Sequence, residues 1–248
     1  MTFKIMVPKK LVRKCLYNWL GYGELNSPVW IVGTEEGGSG KNIQLNTAIK
    51  LRSGFKPSMD LSYVWENLYG FDLQHIKGGG IWKYAVSFLL SLQNEKRSPE
   101  DIKKFIGKKL GRKGANHLMG EFLPLPKQKK YSIEDYEHIW STIEEYHKEV
   151  APKRFLIIDK NIKDNRKIKL IVSYERMFTQ SMIDHYKNTI KEIDQWIYPK
   201  KQKYCLYKIS VSQDRNIFLL STPFFGQGQI SYDGINNAVH RIKELKII

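Results

Sequence analysis

Four apolar residues, Val29-Trp30-Ile31-Val32, stop at Gly33 and lead into Thr34-Glu35-Glu36-Gly37-Gly38-Ser39-Gly40. The run reads as a buried strand that ends in a glycine-rich loop. In open α/β sheets, ligands bind at the carboxyl ends of strands. Glycines at such a place let the backbone approach a ligand closely and adopt positive φ. Two adjacent carboxylates there are able to activate water. The plainer alternative is an ordinary glycine-rich turn with solvated acids.

The rest of the chain alternates in the same manner. Residues 9–20 place Leu11, Cys15, Leu16 and Leu20 on one face of a helix, broken by Asn26-Ser27-Pro28. A helix fits residues 43–52 in an otherwise loop-like stretch to residue 77. After Gly78-Gly79-Gly80, Ile81–Leu92 has strong helical periodicity, and Asp101–Leu110 forms a basic helix opened by Ser98-Pro99. Ala115–Phe122 is a second strand, closed by Leu123-Pro124-Leu125-Pro126, where the prolines forbid regular continuation. Ser132–Glu149 reads as one helix with Ser132 and Asp135 as a capping pair. Ile168–Ser173 is a third strand and Phe178–Ile190 a helix. Tyr204–Ile209 and Ile217–Ser221 are strands, and Asp233–Leu245 is the last helix. Strands alternating with helices predict an α/β domain with a mostly parallel central sheet. No internal repeat or low-complexity linker divides it, so residues 1–248 are expected to form one domain, with 1–27 as an N-terminal helical extension.

With 248 residues and 42% hydrophobic content, the chain is long and apolar enough for a real core. It carries 41 Lys+Arg against 25 Asp+Glu, a formal net charge of +16. That imbalance favours a polyanionic partner, above all nucleic acid, over a membrane surface. The two cysteines, Cys15 and Cys205, form no CxxC or Cys/His cluster, so structural zinc is not expected. No signal peptide and no apolar run of membrane-spanning length is apparent, so the expectation is a soluble, cytoplasmic protein. His138, His147 and His185 fall in helices and form no metal or Ser-His-Asp pattern. No metal, no cofactor and no obligate protein partner is expected.

Three loops carry candidate chemistry. GTEEGGSGKN fails the P-loop pattern, because Asn42 follows Gly40-Lys41 and Glu35 stands five residues before Gly40. It also fails the G-x-G-x-x-G pattern. Its acids suit general-base or cation-stabilising work better than phosphate binding. In the second loop, Glu121 ends a strand just before two prolines, well placed for a cleft; the alternative is a solvated acid before a turn. In the third, a strand runs through Ser221 into Thr222-Pro223-Phe224-Phe225-Gly226-Gln227-Gly228-Gln229 and then a helix. Free backbone N–H groups and amides beside a helix N-terminus suit a phosphate, and the aromatics suit stacking on bases or core packing.

Taken in order, these three loops resemble the motifs of the uracil-DNA glycosylase superfamily. There an apolar strand ends in a loop of the form G-x-[D/N/A]-P-G, and here the residues are Gly33-Thr34-Glu35-Glu36-Gly37. Glu35 falls at the water-activating or cation-stabilising position, and Glu36 replaces the proline. The helix bearing Trp82 is similar to one found in many members. Glu121 stands near the base-reading position, where Asn is more usual. The last motif, typically His-Pro-Ser, reads Thr222-Pro223-Phe224 and lacks the histidine. The resemblance implies a three-layer α/β/α fold with a mostly parallel central sheet of four or five strands. It also implies a monofunctional DNA glycosylase that needs no cofactor. Without the Asn and the histidine, the implied substrate is a damaged or modified base other than uracil. Modified phage cytosines fit, since the superfamily includes prokaryotic defence enzymes.

Cleaving an N-glycosidic bond builds positive charge on the sugar and negative charge on the base. A carboxylate near C1′ stabilises the first and orients or deprotonates a water. Glu35 is the first choice and Glu36 the alternate. Adjacent residues on an extended segment point apart, so a shared site requires the turn that the glycines permit. The base must leave the stack, with Glu121 reading it and Phe55 or Tyr174 sandwiching it. Lys41, Lys127, Lys129 and Lys130 would contact phosphates, alongside the loop from Thr222 to Gln229. The alternatives are a non-catalytic nucleic-acid-binding module of the same fold and a nucleotide-binding enzyme using the glycine-rich loop.

Overall fold

The structure, a computed structural model, describes residues 6–33, 44–75, 80–127 and 132–248. In chain order the elements are α1 (Lys9–Asn18), β1 (Gly21–Gly23), β2 (Val29–Gly33), α2 (Leu45–Arg52) and β3 (Ser58–Met59). A π-helical turn at Tyr63–Leu68 precedes α3 (Gly80–Leu92), α4 (Pro99–Lys108) and β4 (His117–Glu121). Next come α5 (Ile143–Asp164), β5 (Leu170–Ser173), α6 (Arg176–His185), β6 (Ile190–Ile197), β7 (Lys203–Ser212), β8 (Arg215–Ser221) and α7 (Tyr232–Glu244). Among the described residues no helix is long and apolar enough to cross a membrane.

The strands form one sheet in the order β3-β1-β4-β2-β5-β8-β7-β6. The middle four, β4-β2-β5-β8, are parallel. Thus the α/β class with a parallel sheet centre holds, but among the described residues the sheet has eight strands rather than four or five. The additions are at the edges. β1 and β3 are three and two residues long, too short to leave a sequence pattern. β6 pairs antiparallel with β7, and only Trp196 of its residues is buried. An edge strand exposed on both faces has no period-two apolar signal, so its first residue was absorbed into an expected helix. That helix, α6, ends at His185 rather than Ile190.

Alternation along the strands builds two apolar layers. Val29 and Ile31 of β2, with Leu170 and Val172 of β5, face α3, α4 and α7. Trp30 and Val32, with Ile171, face α1, α5 and α6. This is an α/β/α stack, and α1 is part of it: Val12, Cys15 and Leu16 are all buried in the second layer.

The expected helix over 132–149 is corrected. A short 3₁₀ turn occupies Glu134–Tyr136, and the α-helix begins only at Ile143. Its cap is Thr142, whose hydroxyl accepts from the Glu145 N–H at 3.2 Å. It then continues through Pro152 to Asp164. By contrast, α4 does start at Ser98-Pro99: Ser98 and Asp101 form a reciprocal capping box, and the helix begins at Pro99 rather than Asp101.

One buried cation fixes the end of β4. Arg154 of α5 is fully buried and donates to three carbonyls: Trp19 at 2.8 Å, Glu121 at 2.7 Å and Phe122 at 3.0 Å. It ties the turn after α1 and the carboxyl end of β4 to the long helix.

Candidate functional site

The parallel strands create a crevice where their connections diverge. The crossover from β2 to β4 carries α3 and α4 on one face of the sheet. The crossover from β5 to β8 carries α6 on the other. Adjacent strands β2 and β5 therefore send their chains apart, and ligands of open α/β sheets bind at that point. The residues there are Gly33, Tyr174 and, one strand over in register with Gly33, Glu121.

Tyr174 lies across Gly33. A Cβ on Gly33 would overlap the phenol ring and its hydroxyl, so the close approach requires glycine. The other contacts of the ring come from β8's loop. It stacks on Phe225 at 4.7 Å with planes 15° apart, and meets the Phe224 ring edge-on at 5.9 Å. Burial, then the charges of Glu121 and Glu175, raises the Tyr174 pKa, so the phenol stays protonated and is a hydrogen-bond donor.

Glu121 closes β4. Its N–H donates to the Leu20 carbonyl at 2.9 Å, and its own carbonyl is held by Arg154. Burial raises its carboxyl pKa to about 7, against the opposing pull of Arg52 and Arg154. Near neutral pH the group is thus present in both forms and can donate or accept a hydrogen bond. Arg52, fully buried on α2, exerts the larger of these two pulls. Its Nε donates to the Tyr69 hydroxyl at 3.0 Å and its Nη1 to the Pro124 carbonyl at 3.1 Å. Its guanidinium also lies 5.3 Å from the Trp19 ring centre.

Beside this crevice is a cleft of about 1200 Å³. Its walls are the start of α6, the β8–α7 loop and the turn between β6 and β7. Tyr174, expected to sandwich a base, and Thr222, Pro223, Phe224, Gln227 and Gln229, expected to contact the DNA strand, all line it. Gly226 lets the loop fold back, since a Cβ there would stand 2.9 Å from the Phe224 ring. His147 of α5 also lines the cleft, and burial, then Lys127, holds its pKa down, which favours the neutral imidazole.

Three expected contacts lie elsewhere. Phe55 is 4% exposed and packs edge-to-face on Trp19 at 5.7 Å, so it is a core residue rather than a cleft wall. Phe225 is fully buried and supports Tyr174 from beneath instead of meeting solvent. Lys127 is 4% exposed with its ammonium 5.4 Å from the Tyr146 ring centre, not a surface cation. Trp82 packs edge-to-face on Trp65 at 4.9 Å within the first layer. Glu35, Glu36, Lys41, Lys129 and Lys130 lie outside the described residues. Among the described residues no group of three His, Cys, Asp or Glu side chains is arranged to hold a metal.

The sequence reading missed Arg52 and Arg154, because nothing in a local pattern marks an arginine for burial. It also missed Arg176, Lys200, Lys201 and Lys203, which line the cleft. The run Pro199-Lys200-Lys201-Gln202-Lys203 is a visible signal: a basic cluster at a turn between two apolar stretches. No protein-family model matches the chain, and no curated protein is detectably similar to it.

Proposed function

We propose that this chain is a monofunctional DNA glycosylase that hydrolyses the N-glycosidic bond of a flipped, damaged or modified base. The observation that carries this reading is the meeting of Glu121 and Tyr174 at the carboxyl ends of β4 and β5, on either side of Gly33. A carboxyl group with a pKa of about 7 and a protonated phenol are suited to the mixed donor and acceptor edge of a nucleobase. The strand between them leads directly into Glu35-Glu36. The net charge of +16 supports a nucleic-acid substrate.

In this mechanism the flipped base enters the crevice and Glu121 reads its edge. Glu35, or Glu36 in its place, faces C1′ as a carboxylate. The bond between C1′ and the base nitrogen breaks, and its electron pair leaves with the base. Water adds to C1′ and gives up a proton, which the carboxylate accepts. No lysine stands between Gly33 and Gly40 to form a Schiff base, which supports a monofunctional reaction. Modified cytosines of phage DNA, and hence a role in antiviral defence, suit an enzyme with Glu in place of the base-reading Asn.

The test is release of free base from DNAs carrying different natural modifications, read by mass spectrometry. A second reading, a nucleic-acid-binding module without catalysis, is favoured by one observation: Thr222 stands where the glycosylase motif has histidine. Salt-sensitive DNA binding with no base released from any substrate would select it.

A further inference from the structure

The cleft beside the crevice is larger than a single nucleoside requires. At about 1200 Å³ it exceeds the roughly 300–1,000 Å³ of ordinary small-molecule pockets. Four basic residues line it: Arg176 at the start of α6, and Lys200, Lys201 and Lys203 on the turn between β6 and β7. All four are exposed, and among the described residues none of them is ion-paired. The carboxylate beside them, Glu175, accepts from the Met177 N–H at 3.0 Å and so caps α6. The β8–α7 loop adds the half-buried Phe224 ring and the exposed amides of Gln227 and Gln229 to the same lining.

The basic turn is held in place before any ligand arrives. Gln202 Oε1 accepts from the Ser231 N–H at 3.2 Å and from its hydroxyl at 3.1 Å, which fastens the turn to the start of α7. The Tyr198 N–H donates to the Gln202 carbonyl at 2.8 Å. Beneath, Trp196 stacks on Tyr204 at 5.2 Å, with Arg241 4.6 Å from the Trp196 ring centre and bound to Asp194 at 2.6 Å. Lys200 has φ 56°, and Gln227 on the β8–α7 loop has φ 53°. Non-glycine residues in that region are uncommon and cluster at ligand-binding loops.

We infer that this cleft is a binding site for a nucleic-acid strand flanking the target nucleotide. Arg176, Lys200, Lys201 and Lys203 hold its phosphodiester backbone, and Phe224 stacks on a base. Exposed cations without an ion pair among the described residues, lining one cleft with an aromatic ring and amides, are the composition of a strand-binding groove. The inference rests on the glycosylase reading only for the identity of the strand as DNA.

The experiment compares fluorescence anisotropy of labelled single-stranded and duplex DNA across a salt series. The proteins are the full chain, the triple variant Lys200→Ala/Lys201→Ala/Lys203→Ala, and the charge-matched control Lys103→Ala/Lys104→Ala/Lys108→Ala on α4. Three lost phosphate contacts should flatten the slope of log affinity against log salt by about 2 to 3. The cleft variant should lose at least about tenfold in affinity at moderate salt while the control keeps wild-type behaviour. Equal losses in both variants, or a wild-type slope in the cleft variant, would overturn the inference. Displacement of DNA by millimolar inorganic phosphate alone would also overturn it, by assigning the cleft to a free anion. Base release by a cleft variant with a wild-type slope would sink the inference and keep the glycosylase. A changed slope with no base release from any DNA would keep the cleft and sink the glycosylase.

Discussion

The hydroxyl of Tyr174 occupies the space that a side chain on Gly33 would need. The two residues end adjacent parallel strands, so this contact sets how closely the walls of the crevice approach. Gly33→Ala must displace the ring and disturb its stack on Phe225. We expect a loss of about 1–3 kcal/mol, typical of overpacking, with loss of base release. In a Tyr174→Ala background the same change should cost little more than Tyr174→Ala alone. Chemical denaturation of the four proteins in this cycle checks it.

Glu121 should make stability depend on pH. Its folded pKa of about 7 lies above the ordinary 4.5, so between these values the folded state binds more protons than the unfolded state. Its contribution is therefore complete below the lower value and is lost as pH rises through the upper one. Glu121→Gln imitates the protonated form. Thermal melts should show the wild-type Tm falling over that interval by several degrees relative to the variant. Identical pH profiles would contradict the account of Glu121.

Arg154 should act chiefly as a structural cation, besides its pull on the Glu121 carboxyl. Arg154→Met strips two buried carbonyls and one partly buried carbonyl of their donor. Because each unsatisfied buried group costs about 1–3 kcal/mol, the variant should lose on the order of 3 kcal/mol or more. Urea denaturation measures this directly. A stability change under about 1 kcal/mol would mean that the carbonyls find other partners.

The paired phenylalanines should separate into two roles. Phe225→Ala empties a fully buried site and should cost about 3–5 kcal/mol. Phe224→Ala, at a half-buried ring, should cost clearly less stability than Phe225→Ala but weaken single-stranded DNA binding by about 1–3 kcal/mol, the usual worth of one stacked base. Thermal melts and anisotropy on both variants distinguish them.

Much of the sheet's centre was legible in the sequence because β2, β5 and β8 are apolar runs bounded by turn residues. The edges were not. Gly21-Tyr22-Gly23 has no strand composition and becomes β1 by pairing with β4 on one side and β3 on the other. The helix from Ile143 to Asp164 differs from the expected 132–149 at both ends: Ser132 precedes a 3₁₀ turn rather than capping the helix, and the helix runs on past Glu149 with Pro152 inside it. In the site, Glu121 and Tyr174 were marked by their places at strand ends. Phe224 and Phe225 are neighbours of one type, and only packing decides which is buried. Lys127 followed the same pattern: a lysine in a basic run, yet enclosed against Tyr146.

The central claim is base excision, and its most direct measurement is mass spectrometry of free bases released from modified DNAs by the wild type, Glu35→Gln and Glu36→Gln. The account predicts release of one modified base by the wild type and its loss in at least one of the two variants, with DNA binding retained in both. No release from any modified DNA that the protein binds, or full release by both variants, would contradict it.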